Sequence, residues 1–177
     1  SFYAVHWEKT SRRRTKSSVD FRSVGKYNKK TERKQKGRRQ IMKTAIVYAS
    51  THHGNTKKLL DAIAAAYEVD LIDAVKVPEK DLNRYDRIGF ASGIYYSKFH
   101  QAVLNFAAVN MPQNKQTFFI STYGGKADYT SIEKALTAKN SVLLGKYGCK
   151  GYDTFGPFKL MGGLAKGHPD EADIAGA

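Results

Sequence analysis

The feature that most constrains the fold is an alternation of short apolar runs with amphipathic stretches, which starts at residue 43. The apolar runs are rich in β-branched residues and are predicted strands, at 43–50, 68–74, 86–93 and 115–122, with a candidate fifth at 142–151. The amphipathic stretches carry apolar residues at helical spacing and are predicted helices, at 55–67, 97–110 and 130–140. Strands that alternate with helices in this way form βαβ units, so the pattern predicts a doubly wound α/β fold with a parallel sheet.

The two ends of the chain lack this alternation. After Gly151 the sequence is rich in Gly, so we expect mostly loop, with a short last helix from about Asp170. Residues 1–41 hold 14 Lys/Arg against 3 Asp/Glu without a period, so we expect a disordered basic tail before a domain at 42–177. Three interpretations of the tail stay open: sequence upstream of a natural start at Met42, a targeting segment, or a nucleic-acid-binding arm.

Charge and cysteine content narrow the class of protein. The formal net charge is +14, but residues 42–177 contribute only +3, so the basic character belongs to the tail and nucleic acid is not the expected partner of the domain. The single cysteine, Cys149, favours a reducing compartment, and we expect a cytoplasmic protein. No run of apolar residues is long enough to predict a membrane span.

The stretch YASTHHGNTKKLL, residues 48–60, connects the first predicted strand to the first helix. Ligands of open α/β sheets bind outside the carboxyl ends of the strands, and the start of a helix offers unpaired N–H groups to an anion. Gly54 allows close approach of the backbone, and hydroxyl and amide side chains surround it. The loop is therefore a candidate phosphate site built from neutral donors.

Other kinds of site compete with a phosphate site at this loop. Gly54 is not followed by Lys and Ser or Thr, as a Walker A loop requires, and a dinucleotide fingerprint needs more glycines. His52 and His53 suggest a metal site, but adjacent side chains seldom point at one ion and no Cys, Asp or Glu is close in sequence. An ordinary strand–helix loop with a polar helix cap remains open.

Two further loops are expected at the same edge of the sheet, in ASGIYYSKF (91–99) and ISTYGGKAD (120–128). Both contain Gly and Tyr, which suit a flat aromatic ring attached to a phosphate. The alternative is that these tyrosines only cover the edge of the sheet.

Four stretches of this sequence resemble those of a known protein family. KTAIVYASTHHGNTKKLLDAIA resembles the opening of the flavodoxins, whose phosphate loop ends in Gly-Asn-Thr. Together with ASGIYYSKFHQAVLNF, FISTYGG and CKGYDTFGPFKLMGGLAKGHPDEADI, it resembles a small flavodoxin-like subgroup of bacterial origin over residues 43–175. The resemblance implies a three-layer α/β/α fold, a five-stranded parallel sheet of order 2-1-3-4-5, and FMN as cofactor.

The resemblance also assigns site residues. Those implied to hold the phosphate are Ser50, Thr51, His52, His53, Gly54, Asn55 and Thr56. Those implied to lie along the flavin ring are Ser92, Gly93, Ile94, Tyr95 and Tyr96 on one side, and Ser121, Thr122, Tyr123, Gly124 and Gly125 on the other.

This sequence departs from the family pattern in three respects. Its phosphate loop is one residue longer and contains His52-His53, its only Trp lies in the tail, and its domain is not acidic. We expect no catalytic acid or base, with His100 and His168 as structural or loop residues and Cys149 as a packing residue.

The sequence is compatible with three functions. The first is an FMN-binding redox protein that carries electrons between partners. The second is an FMN-dependent oxidoreductase acting on a quinone, a porphyrinogen or a similar small molecule, because the domain is near neutral and residues 151–169 could cover part of the flavin. The third is nucleic-acid binding through the basic tail.

Overall fold

The predicted alternation of strands and helices is present in residues 42–177, the part of the chain that a computed structural model describes. The strands are β1 (Thr44–Ala49), β2 (Val69–Asp73), β3 (Arg87–Tyr95), β4 (Lys98–Phe99), β5 (Gln116–Tyr123) and β6 (Val142–Lys150). The helices are α1 (Asn55–Ala66), α2 (Gln101–Asn110), α3 (Thr130–Leu136) and α4 (Glu171–Gly176), with 3-10 turns at Thr137–Lys139 and Gly156–Lys159. The predictions about residues 1–41 lie outside the described residues.

The sheet has the predicted topology. Its strand order is β2-β1-β3-β5-β6, with all neighbours parallel, and the two-residue β4 pairs antiparallel with β3 beside this path. Without β4 this is a five-stranded parallel sheet of order 2-1-3-4-5, as the resemblance implied. The order reverses between β1 and β3, so the carboxyl ends of these strands mark the point where ligands of such sheets bind.

Helices cover the sheet on both faces. One face packs against α2 and α3 through a core that includes Phe90, Phe106 and Ile132. The other packs against α1, where Leu59 and Leu60 are fully buried. These faces form the three-layer arrangement that the resemblance implies.

Cys149 lies in the second of these cores. It is buried, and burial raises the pKa of its thiol to about 11. A thiol with such a pKa is poorly reactive at neutral pH. Its predicted role as a packing residue is confirmed.

The predicted helix at 97–110 is wrong over its first residues. β3 continues past Gly93, and a hairpin turn at Tyr96 and Ser97 leads into β4, with Ile94 paired to Phe99. Tyr96 and Ser97 have positive φ values of 50° and 61°, which interrupt a helix. α2 begins only after His100, whose Nδ1 accepts the N–H of Ala102 at 3.2 Å.

Most of the chain after Gly151 is loop, and the short last helix is present as α4. Asp170 and Asp173 form a capping box at its start, and His168 Nδ1 lies 2.6 Å from the Asp173 carboxylate. The Nζ of Lys58 donates to the carbonyl of Pro169, which ties this segment to α1. Among the described residues, none of the helices combines the length and the apolar content needed to cross a membrane.

Candidate functional site

The connection from β1 to α1 is shaped by two residues in the left-handed region. His53 and Gly54 have φ values of 53° and 69°, and Gly54 is the N-cap of α1 without a side-chain cap. Ser50 Oγ instead accepts the N–H of Lys57 at 3.1 Å, in the first turn of the helix. The start of α1 therefore has the geometry in which helix amides bind an anion.

The lysines that follow this loop do not line the cavity beside it. Lys57 forms an ion pair with Asp61, and the hydrogen bond between them raises the pKa of Lys57. Lys58 is held by the carbonyl of Pro169. An anion at the start of α1 would meet mainly neutral donors, as the sequence predicts.

A cavity of about 450 Å³ lies at the carboxyl edge of the sheet, beside the start of α1. The predicted site residues that line it are His52, His53, Asn55, Thr56, Gly93, Ile94, Tyr95, Tyr96, Thr122, Tyr123 and Gly124. The three predicted loops therefore meet around one space, since β1, β3 and β5 are neighbours in the sheet.

The remaining predicted residues lie outside the cavity lining. They are Ser50, Thr51, Gly54, Ser92, Ser121 and Gly125. Ser92 is fully buried, where its hydroxyl donates to the carbonyl of Gly93 at 2.6 Å and accepts the N–H of His100 at 2.9 Å. Ser121 is also buried and donates to the hydroxyl of Tyr129 at 3.0 Å. Both serine side chains therefore support the loops from inside.

A buried pair of hydroxyls connects the start of α1 to the end of β5. Thr56 Oγ1 and Thr122 Oγ1 lie 2.9 Å apart, and both residues are almost fully buried while they line the cavity. A hydroxyl donates one hydrogen bond and accepts two, so this contact leaves Thr56 able to bind a ligand as well.

The two adjacent histidines face different loops. The ring of His52 lies 5.2 Å from that of Tyr95, at the end of β3, and its Nδ1 is 3.4 Å from the tyrosine hydroxyl. His53 Nε2 lies 2.8 Å from the hydroxyl of Thr154, and its ring is 4.7 Å from that of Tyr152. The two histidines of this longer loop therefore connect it to Tyr95 on one side and to Tyr152 and Thr154 on the other.

A fourth segment, residues 151–159, also lines the cavity and carries no residue of the predicted site. The lining residues are Gly151, Tyr152, Asp153, Thr154, Phe155, Gly156 and Lys159. The signal in the sequence is the Gly-rich stretch at 151–169, which could cover part of a flavin and in which no site residue was predicted.

Asn55 holds this fourth segment against the phosphate loop. Its Nδ2 donates to the carbonyl of Tyr152 at 2.8 Å. A Cβ at Gly151 would lie only 2.8 Å from the same Nδ2, so a larger residue there would displace the Asn55 side chain. Asn55 is therefore a structural tie between the two loops as well as a residue of the cavity wall.

The mouth of the cavity is bordered by aromatic side chains. Tyr96, from the hairpin after β3, contacts Phe155 of the fourth segment edge-to-face, with ring centroids 5.2 Å apart. Tyr96 is 81% exposed and Phe155 is 60% exposed. The cavity thus has a polar end at α1 and an apolar, aromatic border.

Comparison with known proteins identifies relatives of this chain. A family model described as a flavodoxin domain matches residues 45–144. An uncharacterized protein of Methanocaldococcus jannaschii is 40% identical over 137 residues, which cover 75% of this chain and 91% of that protein. These matches confirm the family resemblance, but an archaeal relative does not support the bacterial origin that the resemblance implied.

Solved structures share the fold at low identity. A flavodoxin from the domain Archaea has a TM-score of 0.55 at 19% identity, covering 75% of this chain and 90% of that one. The rubredoxin oxygen:oxidoreductase of Desulfovibrio gigas also has a TM-score of 0.55, at 15% identity, and the match covers 76% of this chain and 33% of that one. At these identities the two structures support the fold alone.

Proposed function

We propose that this chain, which belongs to the flavodoxin domain family, binds FMN in the cavity at the carboxyl edge of its sheet and carries electrons between partners. The observation that carries the proposal is the meeting of an anion-binding helix start with loops rich in Gly and Tyr around one cavity of about 450 Å³. Ligand pockets of this kind usually occupy about 300–1,000 Å³.

The donors present suit the phosphate end of FMN. Asn55 and Thr56 line the cavity in the first turn of α1, and Gly54 turns the chain there without a side-chain cap. We propose that the amides of this turn and the hydroxyl of Thr56 bind the phosphate, with His52 and His53 beside it. Ser50 and Thr51 then hold the loop in shape, and Gly54 gives it the required turn.

The rest of the cavity suits the flavin ring. Its walls would be Gly93, Ile94, Tyr95 and Tyr96 on one side, and Thr122, Tyr123 and Gly124 on the other. Peptide groups of these two loops would bind the polar edge of the ring, supported from inside by Ser92 and Ser121, and Gly125 would complete the second loop. Once bound, FMN supplies the redox chemistry, and the protein orients the ring and limits its contact with water.

A cytoplasmic location forms part of the proposal. Cys149 is free and buried, and it is the only cysteine in the chain, so no intramolecular disulfide is available to it. Residues 42–177 would form the FMN-binding domain, with residues 1–41 as a separate basic tail.

An FMN-dependent oxidoreductase is the second candidate. It is favoured by the fourth segment, which brings Asp153 and Lys159 to the cavity, where they could contact a small second substrate such as a quinone or a porphyrinogen. Turnover of NAD(P)H or of a quinone by the purified protein, without an added reductase, separates an enzyme from a carrier.

FMN and riboflavin, which differ by the phosphate, test the proposed cradle. Titration of the protein with each flavin, followed by quenching of flavin fluorescence, should give much tighter binding of FMN. Equal affinities for the two flavins would contradict a phosphate site at the start of α1.

A further inference from the structure

Large exposed apolar side chains lie at the mouth of the cavity and in the residues that directly follow its lining in sequence. Tyr96 and Phe155 line the cavity and contact each other, and Leu160 and Met161, which directly follow the lining residue Lys159 in sequence, are 92% and 81% exposed. Phe158 is 37% exposed in the same segment. We call these five residues, with the loops that carry them, the mouth surface. Large exposed apolar patches mark interaction sites on folded proteins.

The excess positive charge of the domain lies in three segments that follow β3, β5 and β6 at the carboxyl edge of the sheet. Residues 96–100, 124–129 and 150–168 carry five lysines and two aspartates, a net of +3 that equals the net charge of residues 42–177. The lysines are Lys98, Lys126, Lys150, Lys159 and Lys166.

These lysines are available to a partner. All five are exposed, and none forms an ion pair with another residue of the range 42–177. Asp128 accepts the N–H of Thr130 at 3.0 Å, and Asp153 accepts that of Phe155 at 2.8 Å, so both carboxylates support their own loops.

From this arrangement we infer that the mouth surface docks an acidic electron-transfer protein. Protein interfaces have a core depleted of charge and enriched in aromatic residues and Met, surrounded by a polar rim. A lysine rim accelerates the encounter with a negatively charged partner. The inference rests on the proposed function, because docking here would bring a partner to the edge of the bound flavin.

The arrangement favours a protein over an anionic bilayer. The apolar residues come from two separate parts of the chain, the hairpin at Tyr96 and residues 155–161, and the lysines are spread over three segments. A partner protein can complement this uneven surface, whereas a bilayer is bound most simply by one continuous amphipathic element. A bilayer therefore enters the test as a competing outcome.

The test compares charge reversals at the mouth surface with matched reversals elsewhere. The test variant is Lys98→Glu with Lys166→Glu, because neither residue lines the cavity. The control is Lys43→Glu with Lys134→Glu, which changes the net charge equally. Lys43 precedes β1 at the opposite edge of the sheet, and Lys134 is exposed on α3. A third variant, Leu160→Ser with Met161→Ser, removes apolar surface only.

The probe is an acidic [2Fe–2S] ferredoxin, with basic cytochrome c as the opposite-charge comparison. Binding to the FMN-loaded protein is followed by biolayer interferometry at low and high salt. We expect ferredoxin to bind at low salt, and the test variant to lower its association rate by about tenfold or more, while the control retains it. The Leu160 and Met161 variant should mainly accelerate dissociation.

Three results would overturn the inference: equal loss in test and control variants, equal binding of cytochrome c, or no ferredoxin binding with lysine-dependent sedimentation on phosphatidylserine vesicles. The visible spectrum of each sample reports FMN loading independently. Failure of the unmutated, FMN-loaded protein to bind ferredoxin would refute this inference alone, whereas failure to load FMN would refute the proposed function.

Discussion

The buried contact between Thr56 and Thr122 allows the stability of the site to be separated from its affinity for a phosphate. Replacing Thr56 with Val keeps the shape of the side chain and removes its hydroxyl. The hydroxyl of Thr122, which is 3% exposed, then loses its partner at 2.9 Å. A buried polar group left without a partner costs about 1–3 kcal/mol, so the free energy of unfolding should fall by this amount.

Replacing both partners should restore stability. In Thr56→Val with Thr122→Val, no polar group is left unpaired, and such paired replacements are nearly neutral. Urea denaturation of the two single variants and the double variant measures the coupling directly. Additive losses in the double variant would show that the two hydroxyls do not interact.

FMN affinity should not recover in the same double variant. If Thr56 binds the phosphate, its loss removes a hydrogen bond to a charged group, worth about 1.5–3 kcal/mol, or about 10- to 150-fold in the dissociation constant. Riboflavin lacks the phosphate, so its affinity should change little. Thr122→Val alone is the matched control. Equal weakening of FMN and riboflavin would refute the role of Thr56.

Other perturbations test the loop, the ring wall and the acid stability. Gly54→Ala places a side chain at φ 69° and should lower the free energy of unfolding by about 1–2 kcal/mol, measurable by urea denaturation. Tyr123→Ala should change the redox potential or the fluorescence of bound flavin, and an unchanged flavin would place the ring elsewhere. The hydrogen bond from Tyr85 lowers the pKa of Asp70 in the folded protein below the value of about 3.8 in the unfolded chain. This pair should therefore stabilise the fold fully at a pH above 3.8, and its contribution should be lost as the pH falls through the lower pKa of the folded state. Asp70→Asn should therefore cost up to about 1 kcal/mol at neutral pH and little in acid, as acid titration of stability can check.

Much of the fold could be predicted because apolar periodicity determines it. The run at 43–50 became β1, buried along almost its whole length, and the stripe through Leu59 and Leu60 became the buried face of α1. The hairpin of β4 could not be seen, because Phe99 fits a helical stripe as well as it fits a buried strand position. Only the positive φ values at Tyr96 and Ser97 separate the two structures, and such values follow from tertiary packing.

The site was predictable where a strand leads directly into a loop. The strand order determines where the loops after β1, β3 and β5 lie. Because these strands are neighbours, the Gly and Tyr residues of their loops meet at one cavity. The fourth segment has no pattern that fixes its path. Its position depends on individual contacts, such as those of Asn55 with Tyr152 and of His53 with Thr154, which join residues about a hundred positions apart.

The visible spectrum of the purified protein, before and after addition of FMN and with the released cofactor identified, tests the central claim most directly. The account predicts absorption bands near ~370 and ~450 nm, as for any bound oxidised flavin, and FMN in the released fraction. A colourless protein whose spectrum and fluorescence ignore added FMN would contradict it. The fold would then stand without the proposed redox function.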